Sequence, residues 1–227
     1  MKKQTPFFLL LVVLSVLAGC TTSPVTNPFV CGTSTVTDTD GNVYHTVSIG
    51  SQCWTVENLK TTKFNDGTAI LTGLDSAAWV NNTTGAYSIY KDNPTNDTLY
   101  GKLYNWSAVN TGKLAPTGWH VPDTTEWNTV ATTLGGADVA GGKMKSTSSL
   151  WQATNVGATN SSGFTGLPGG NRSRNGYFNN PYLGTWWTTT AASAVNAYLR
   201  NLYSPSTALG FPNYTKELGC SIRCIKD

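Results

Sequence analysis

The residues able to do acid–base or nucleophilic chemistry are few and scattered. Two histidines are present, His45 and His120. His45 alternates with Tyr44 and Val47, which places it on the outer side of a hairpin. His120 follows Trp119 and precedes Val121-Pro122 at a helix start, where a hydrogen-bonded structural role is expected. The chain has no Gly-x-Ser-x-Gly nucleophile elbow and no His-x-x-x-His metal pair. Asp40, Asp66 and Asp123 occupy turn or capping positions, and no carboxylate pair stands apart for glycoside hydrolysis. Asp38, Asp40 and Asn42 are spaced like the start of a calcium loop. The twelfth position of that loop needs a bidentate Glu, and here it is Ile49. The expectation is therefore a protein that is not an enzyme, with no catalytic residue, metal or cofactor.

Binding chemistry is better represented. Asn171-Arg-Ser-Arg-Asn-Gly-Tyr-Phe-Asn-Asn-Pro-Tyr182 leads into Trp186-Trp187. Tyr, Asn, Ser, Gly and Arg are the residues that binding loops favour, combining rigid aromatic area with adaptable hydrogen bonds. Flat rings also stack on sugars while Asn and Arg bond hydroxyls. The candidate ligand contacts are Asn171, Arg172, Arg174, Tyr177, Tyr182 and Trp187. Successive strand residues face opposite ways, so Trp186 and Trp187 should diverge.

The bulk composition agrees with a neutral partner. Asp, Glu, Lys and Arg make up 12% of the chain, against roughly 25% in ordinary soluble domains. Polarity resides instead in 35 Thr, 20 Asn and 23 Gly, with 8 Trp among them, which excludes an aromatic-poor disordered chain. The net charge of +3 includes Lys2 and Lys3, which belong to a leader. Without them it is +1, and no basic stripe suggests nucleic acid.

That leader has a positive start, an apolar run from Phe7 to Leu14, and Leu17-Ala-Gly-Cys20. The run is too short for a bilayer, which needs roughly 20 residues. The pattern is that of a secretory signal, and the closing tetrapeptide resembles a bacterial lipobox. Residues 1–19 are expected to be removed and Cys20 to carry lipid, with a flexible tether to residue 32 and one domain over 33–227. The membrane would then be a partner through the acyl chains on Cys20. Thr21, rather than Asp, after the lipidated Cys favours the outer membrane or cell surface.

Four cysteines remain in an exported chain, suggesting two disulfides. Cys220-Ser-Ile-Arg-Cys224 reads as a strand spanning about 13 Å, too far for a bond between its ends. Cys220 and Cys224 are therefore expected to reach back to Cys31 and Cys53.

The elements that position these residues follow from pattern. Two alternating runs flank Asp40-Gly41, a hairpin signal. Asp123 and Glu126 form a capping-box pair ahead of Trp127, Val130, Ala131 and Leu134, an amphipathic helix stopped by Gly135-Gly136. Leu99, Leu103 and Trp106 suggest a short helix. Residues 68–98 read as a long polar loop. Gly184–Thr190, Ala194–Tyr203 and Leu218–Lys226 read as closing strands, with Arg223 at the sheet surface or paired with a loop carboxylate.

Taken in order, Ile49-Gly-Ser-Gln-Cys-Trp54, Glu57-Asn-Leu59, Tyr100-Gly-Lys-Leu-Tyr-Asn-Trp106 and Gly118-Trp-His-Val-Pro122 form a series. Glu126-Trp127, Leu167-Pro-Gly-Gly170, Trp186-Trp187 and Ser221-Ile-Arg-Cys224 continue it. The series resembles the Fibrobacter succinogenes major paralogous domain, common in lipoproteins of Bacteroidetes and Fibrobacteres. The closing motifs also resemble C-type-lectin-like and formylglycine-generating-enzyme-like domains. This resemblance implies an α+β fold: a small twisted antiparallel sheet, one or two short helices, long loops, and adjacent terminal strands. It implies no activity. The copper-site context of the formylglycine-generating enzyme is absent, and so is the Trp-Asn-Asp of calcium-dependent lectins. The leading expectation is a lectin-like domain recognising a glycan or a cell-surface protein. A structural or adhesive surface module, or an enzyme of the formylglycine-generating class, are the alternatives.

Overall fold

The computed structural model describes residues 1–3, 28–173, 175–176 and 182–227. Cys20 and the tether to residue 27 lie outside these, as do Arg174 and Tyr177.

The first hairpin pairs β1 (Val36–Thr37) with β2 (Val43–Tyr44). Its turn is held by Asp38, whose carboxylate accepts from the Asp40 and Asn42 backbone N–H groups and from the Tyr44 hydroxyl at 2.6 Å. The Asp–Asp–Asn spacing is thus satisfied by protein donors. A second hairpin joins β3 (Thr46–Ile49) to β4 (Gln52–Thr55).

The segment expected as a long loop contains α1 (Ser76–Asn81), β5 (Tyr87–Ile89) and a 3-10 turn at Tyr90–Asp92. The helix expected over Leu99–Trp106 is not one element. It divides into α2 (Thr95–Tyr100), β6 (Lys102–Tyr104) and α3 (Trp106–Val109). Gly101 makes the break: its φ is +72°, and a Cβ there would lie 2.8 Å from the Leu59 carbonyl. An apolar 99/103/106 spacing cannot continue a helix through that conformation.

Strand β7 (Trp119–His120) precedes α4 (Thr124–Thr133) and α5 (Ala137–Met144). The Asp123–Glu126 capping box is formed in both directions, and Trp127, Val130 and Ala131 are buried. The chain closes with β8 (Leu183–Ala191), β9 (Asn196–Tyr203), β10 (Leu209–Gly210), β11 (Asn213–Thr215) and β12 (Ile225–Lys226). The architecture is α+β, with several small antiparallel sheets. One runs in the order β3-β4-β12-β7, so the C-terminal strand sits between elements from the first half of the domain. In another, β9 pairs with β8 on one side and with β10 and β11 on the other.

Trp186 and Trp187 do diverge, and each enters a different core cluster. Trp186 packs with Trp54, Trp127 and Phe164. Trp187 packs with Tyr104, Leu199 and Ile222, and its indole N–H donates to the Tyr104 carbonyl at 3.0 Å. Strand β8 is therefore covered on both faces, and alternation separates two cores rather than a core from solvent.

The segment before β12 is equally enclosed. Cys220 exchanges backbone hydrogen bonds with Tyr104, and Ser221 bridges to Trp186. Arg223, expected at the surface, is 1% exposed. Its guanidinium donates to Asn58 Oδ1 at 2.7 Å and to the Thr55 and Phe164 carbonyls at 2.8 Å. It also lies over the Phe164 ring at 4.3 Å. Asn58 Oδ1 accepts from Trp186 Nε1 as well. The Glu57-Asn-Leu59 and Ser221-Ile-Arg-Cys224 motifs thus meet in one buried polar joint. Burial lowers the Arg223 pKa to about 9, against the opposing charge of Glu57.

The cysteine pairing also differs from expectation. Cys31 bonds Cys53 across a Cα separation of 5.8 Å, whereas Cys220 and Cys224 are buried free thiols. Register explains this. Ile225 faces Trp54, so Cys224 lies alongside Thr55 and Cys53 has no cysteine opposite it. Burial raises both free thiols well above the usual range, which suppresses the reactive thiolate.

Candidate ligand-binding cleft

The candidate ligand residues lie in different environments. Trp187 is fully buried and makes core contacts, so it is corrected from ligand contact to core residue. Its strand has no solvent-facing side at that point. Asn171 is also buried, at 5% exposure. Tyr182 is half-buried, and its carbonyl accepts from the Ser204 N–H. Arg174 and Tyr177 lie outside the described residues.

Arg172 occupies a different kind of position. Its backbone exchanges two hydrogen bonds with Gly219, each 2.9 Å. The approach is close: a Cβ at 219 would sit 3.0 Å from Arg172 Cβ and 3.1 Å from the Trp79 ring. The guanidinium stacks over Trp79 at 4.2 Å and donates to the Leu74 carbonyl at 2.9 Å. Trp79 is anchored in turn, its indole N–H donating to the Glu217 carbonyl at 2.7 Å. Burial lowers the Arg172 pKa, while the carboxylates of Asp92 and Asp75 oppose the shift. The side chain remains a cation.

These contacts make Arg172 the fixed wall of a cleft of about 370 Å³. Small-molecule pockets span roughly 300–1,000 Å³. The remaining wall comes from the 72–75 segment, β5 and the 3-10 turn, through Leu74, Asp75, Ser88, Ile89 and Asp92. Asp75 is at the start of α1, with Oδ1 accepting from the Ala78 N–H at 2.8 Å. Ser88 is paired by backbone register with Leu103. The residue is 3% exposed, and its hydroxyl has no hydrogen-bond partner among the described residues. Leaving such a group unsatisfied costs about 1–3 kcal/mol.

The 3-10 turn at the rim is strained. Lys91 and Asp92 have φ of 55° and 51° in succession, a conformation that costs a non-glycine residue about 1–3 kcal/mol. Strain of this kind concentrates at functional sites. Asp75, Ser88 and Asp92 are not among the ligand contacts expected from the sequence. The signal available for them was local: Asp75 as a helix cap, and Asp92-Asn93-Pro94 as a turn.

The groups considered for catalysis are engaged elsewhere. His120 lies with Nδ1 2.6 Å from Asp227 Oδ1 and Nε2 2.7 Å from Glu126 Oε1. Glu126 also accepts from the Asp123 N–H as half of the capping box. Both imidazole nitrogens are thus engaged in joining β7, α4 and the residue after β12. His45 is exposed and bonded to Glu57. No cluster of three metal-ligating side chains occurs among the described residues.

The meeting of the Asn58, Trp186 and Arg223 motifs in one joint shows them to be parts of one domain signature. The family model described as the Fibrobacter succinogenes major domain matches residues 47–226. The chain belongs to that family. In this Fibrobacter succinogenes major domain, the joint forms the floor that carries β8 and the 219–224 segment, and Gly219 presents Arg172 to the cleft. No curated protein and no solved structure matches the chain. The likeness to C-type-lectin-like and formylglycine-generating-enzyme-like domains rests on the closing motifs alone.

Proposed function

We propose that this chain is a lipid-anchored protein outside the cytoplasm, in the outer membrane or at the cell surface, whose domain binds a glycan or a protein there. It acts by binding and not by catalysis. The observation that carries this reading is a cleft whose lining includes Arg172, a residue of the segment singled out by composition, built into the wall by Trp79 and Leu74. The leader ending in Leu-Ala-Gly-Cys20 supports the anchor. The low charge supports a partner recognised by hydrogen bonds rather than by long-range attraction.

Two experiments test the two halves of the reading. Metabolic labelling with radioactive palmitate should mark the wild-type chain and not a Cys20→Ser variant; label retained in that variant refutes the anchor. Fluorescently labelled protein should bind cell-envelope material saturably. Binding that rises without saturation favours the adhesive module acting through broad surface contacts. Turnover of an envelope component by purified protein would favour the enzyme reading.

A further inference from the structure

We propose that the Asp75–Ser88–Asp92–Arg172 cleft binds a neutral saccharide, its ring hydroxyls donating to the two carboxylates and reaching the Ser88 hydroxyl. This rests on the binding reading above and narrows it to one ligand class and one site.

The Ser88 hydroxyl is the first observation. Ser88 is buried and lines the cleft, and its hydroxyl has no partner among the described residues. Buried hydroxyls are ordinarily hydrogen bonded, and an exception requires an explanation. A ligand hydroxyl supplies one, because a hydroxyl both donates and accepts. Backbone pairing with Leu103 fixes the strand under Ser88.

Charge is the second observation. Asp75 and Asp92 bring two negative charges to the lining and Arg172 brings one positive charge. The excess of one negative charge disfavours phosphates, sulfates and uronic acids. Ionised carboxylates are acceptors only, so they select a ligand rich in donors. Hydroxyl-to-carboxylate bonds are charge-assisted and strong. The strained turn at Lys91–Asp92 sets the Asp92 carboxylate at the rim.

Size and lining supply the third. The volume of about 370 Å³ suits a small ligand rather than a folded partner. Leu74 and Ile89 are the aliphatic side chains in the lining, and no aromatic ring joins them among the described residues. A divalent cation would have the Arg172 charge beside it.

The test is calorimetric titration of the detergent-solubilised full chain with maltose, lactose, mannobiose and chitobiose, and with digalacturonic acid as the charged counterpart. At least one neutral disaccharide should bind saturably, and digalacturonic acid should not bind. Asp92→Asn and Ser88→Ala should each weaken that binding at least tenfold, whereas Lys113→Ala, a remote substitution, should leave it unchanged. Ser88→Ala removes an unpartnered hydroxyl, so its melting temperature should equal or exceed that of the wild type. This keeps lost binding distinct from lost folding. Absence of saturable binding to every neutral disaccharide overturns the inference, as does binding that both cleft variants leave intact. If the protein still binds envelope protein saturably in either case, the broader binding reading survives; if it binds no envelope component, both fail.

Discussion

Removing the Cys31–Cys53 disulfide provides a direct check on the corrected cysteine pairing. The bond closes a loop with a sequence separation of 22. In the chain-entropy account, a loop of this size restricts the unfolded chain by about 3 kcal/mol at 25 °C. For a domain of this length each kcal/mol moves the melting temperature by roughly 2–4 °C, so Cys53→Ser should melt roughly 6–12 °C lower. The assay is urea and thermal unfolding of a Cys20→Ser background with and without Cys53→Ser, each repeated in dithiothreitol. Reductant should lower the parent's stability and leave the Cys53→Ser variant unchanged. Thiol counting adds an independent readout. Alkylation under non-reducing, denaturing conditions should label Cys220 and Cys224 in the parent, and neither should react in the folded protein. Labelling of Cys31 or Cys53 in the oxidised parent, or a mapped bond from either to Cys220 or Cys224, would refute the pairing.

Three further outcomes follow from the core and its edge. Arg223→Met leaves the Thr55 and Phe164 carbonyls without their donor, at roughly 3 kcal/mol or more; urea unfolding should show that loss and a partial recovery in Arg223→Lys. Trp187→Ala should cost about 3–5 kcal/mol as a core truncation, and a loss of saccharide binding at unchanged stability would contradict its placement in the core. Burial lowers the His120 pKa, but hydrogen bonds to Asp227 and Glu126 outweigh it and the net shift is upward from 6.5. A raised pKa stabilises the fold below about pH 6.5, and this contribution fades as pH climbs through the folded value. The stability gap between wild type and His120→Gln should therefore be wider at pH 6 than at pH 9, and an equal gap at both would contradict the pairing of His120 with Asp227 and Glu126.

Much of the scaffold was legible because its signals are local. The Asp123–Glu126 box lies within one helical turn, and the Asp40-Gly41 hairpin and the Trp186-Trp187 divergence depend on neighbours in sequence. The adjacency of the terminal strands, seen as β12 beside β4, was also anticipated, although the disulfides invoked for it were misassigned. The misreadings trace to contacts distant in sequence. Arg223 and Trp187 were read as if each strand had one open face, whereas packing such as the 163–167 loop over Arg223 covers the second, and Cys224 missed a partner through register. The 99–106 segment reads as helical until Gly101 is recognised as a backbone break imposed by Leu59, a contact distant in sequence. The cleft was legible only through Arg172. Asp75, Ser88 and Asp92 converge on it from separate elements, and nothing in their spacing announces that.

The central claim is that ligand binds where Arg172, Ser88 and the two carboxylates meet. Hydrogen–deuterium exchange of the full chain, with and without the neutral disaccharide that binds it, tests this most directly. The account predicts slowed exchange over 72–75 and 88–92, with the buried 219–224 segment unchanged. Protection confined to other surfaces, with 72–75 and 88–92 unaffected at saturating ligand, would contradict it.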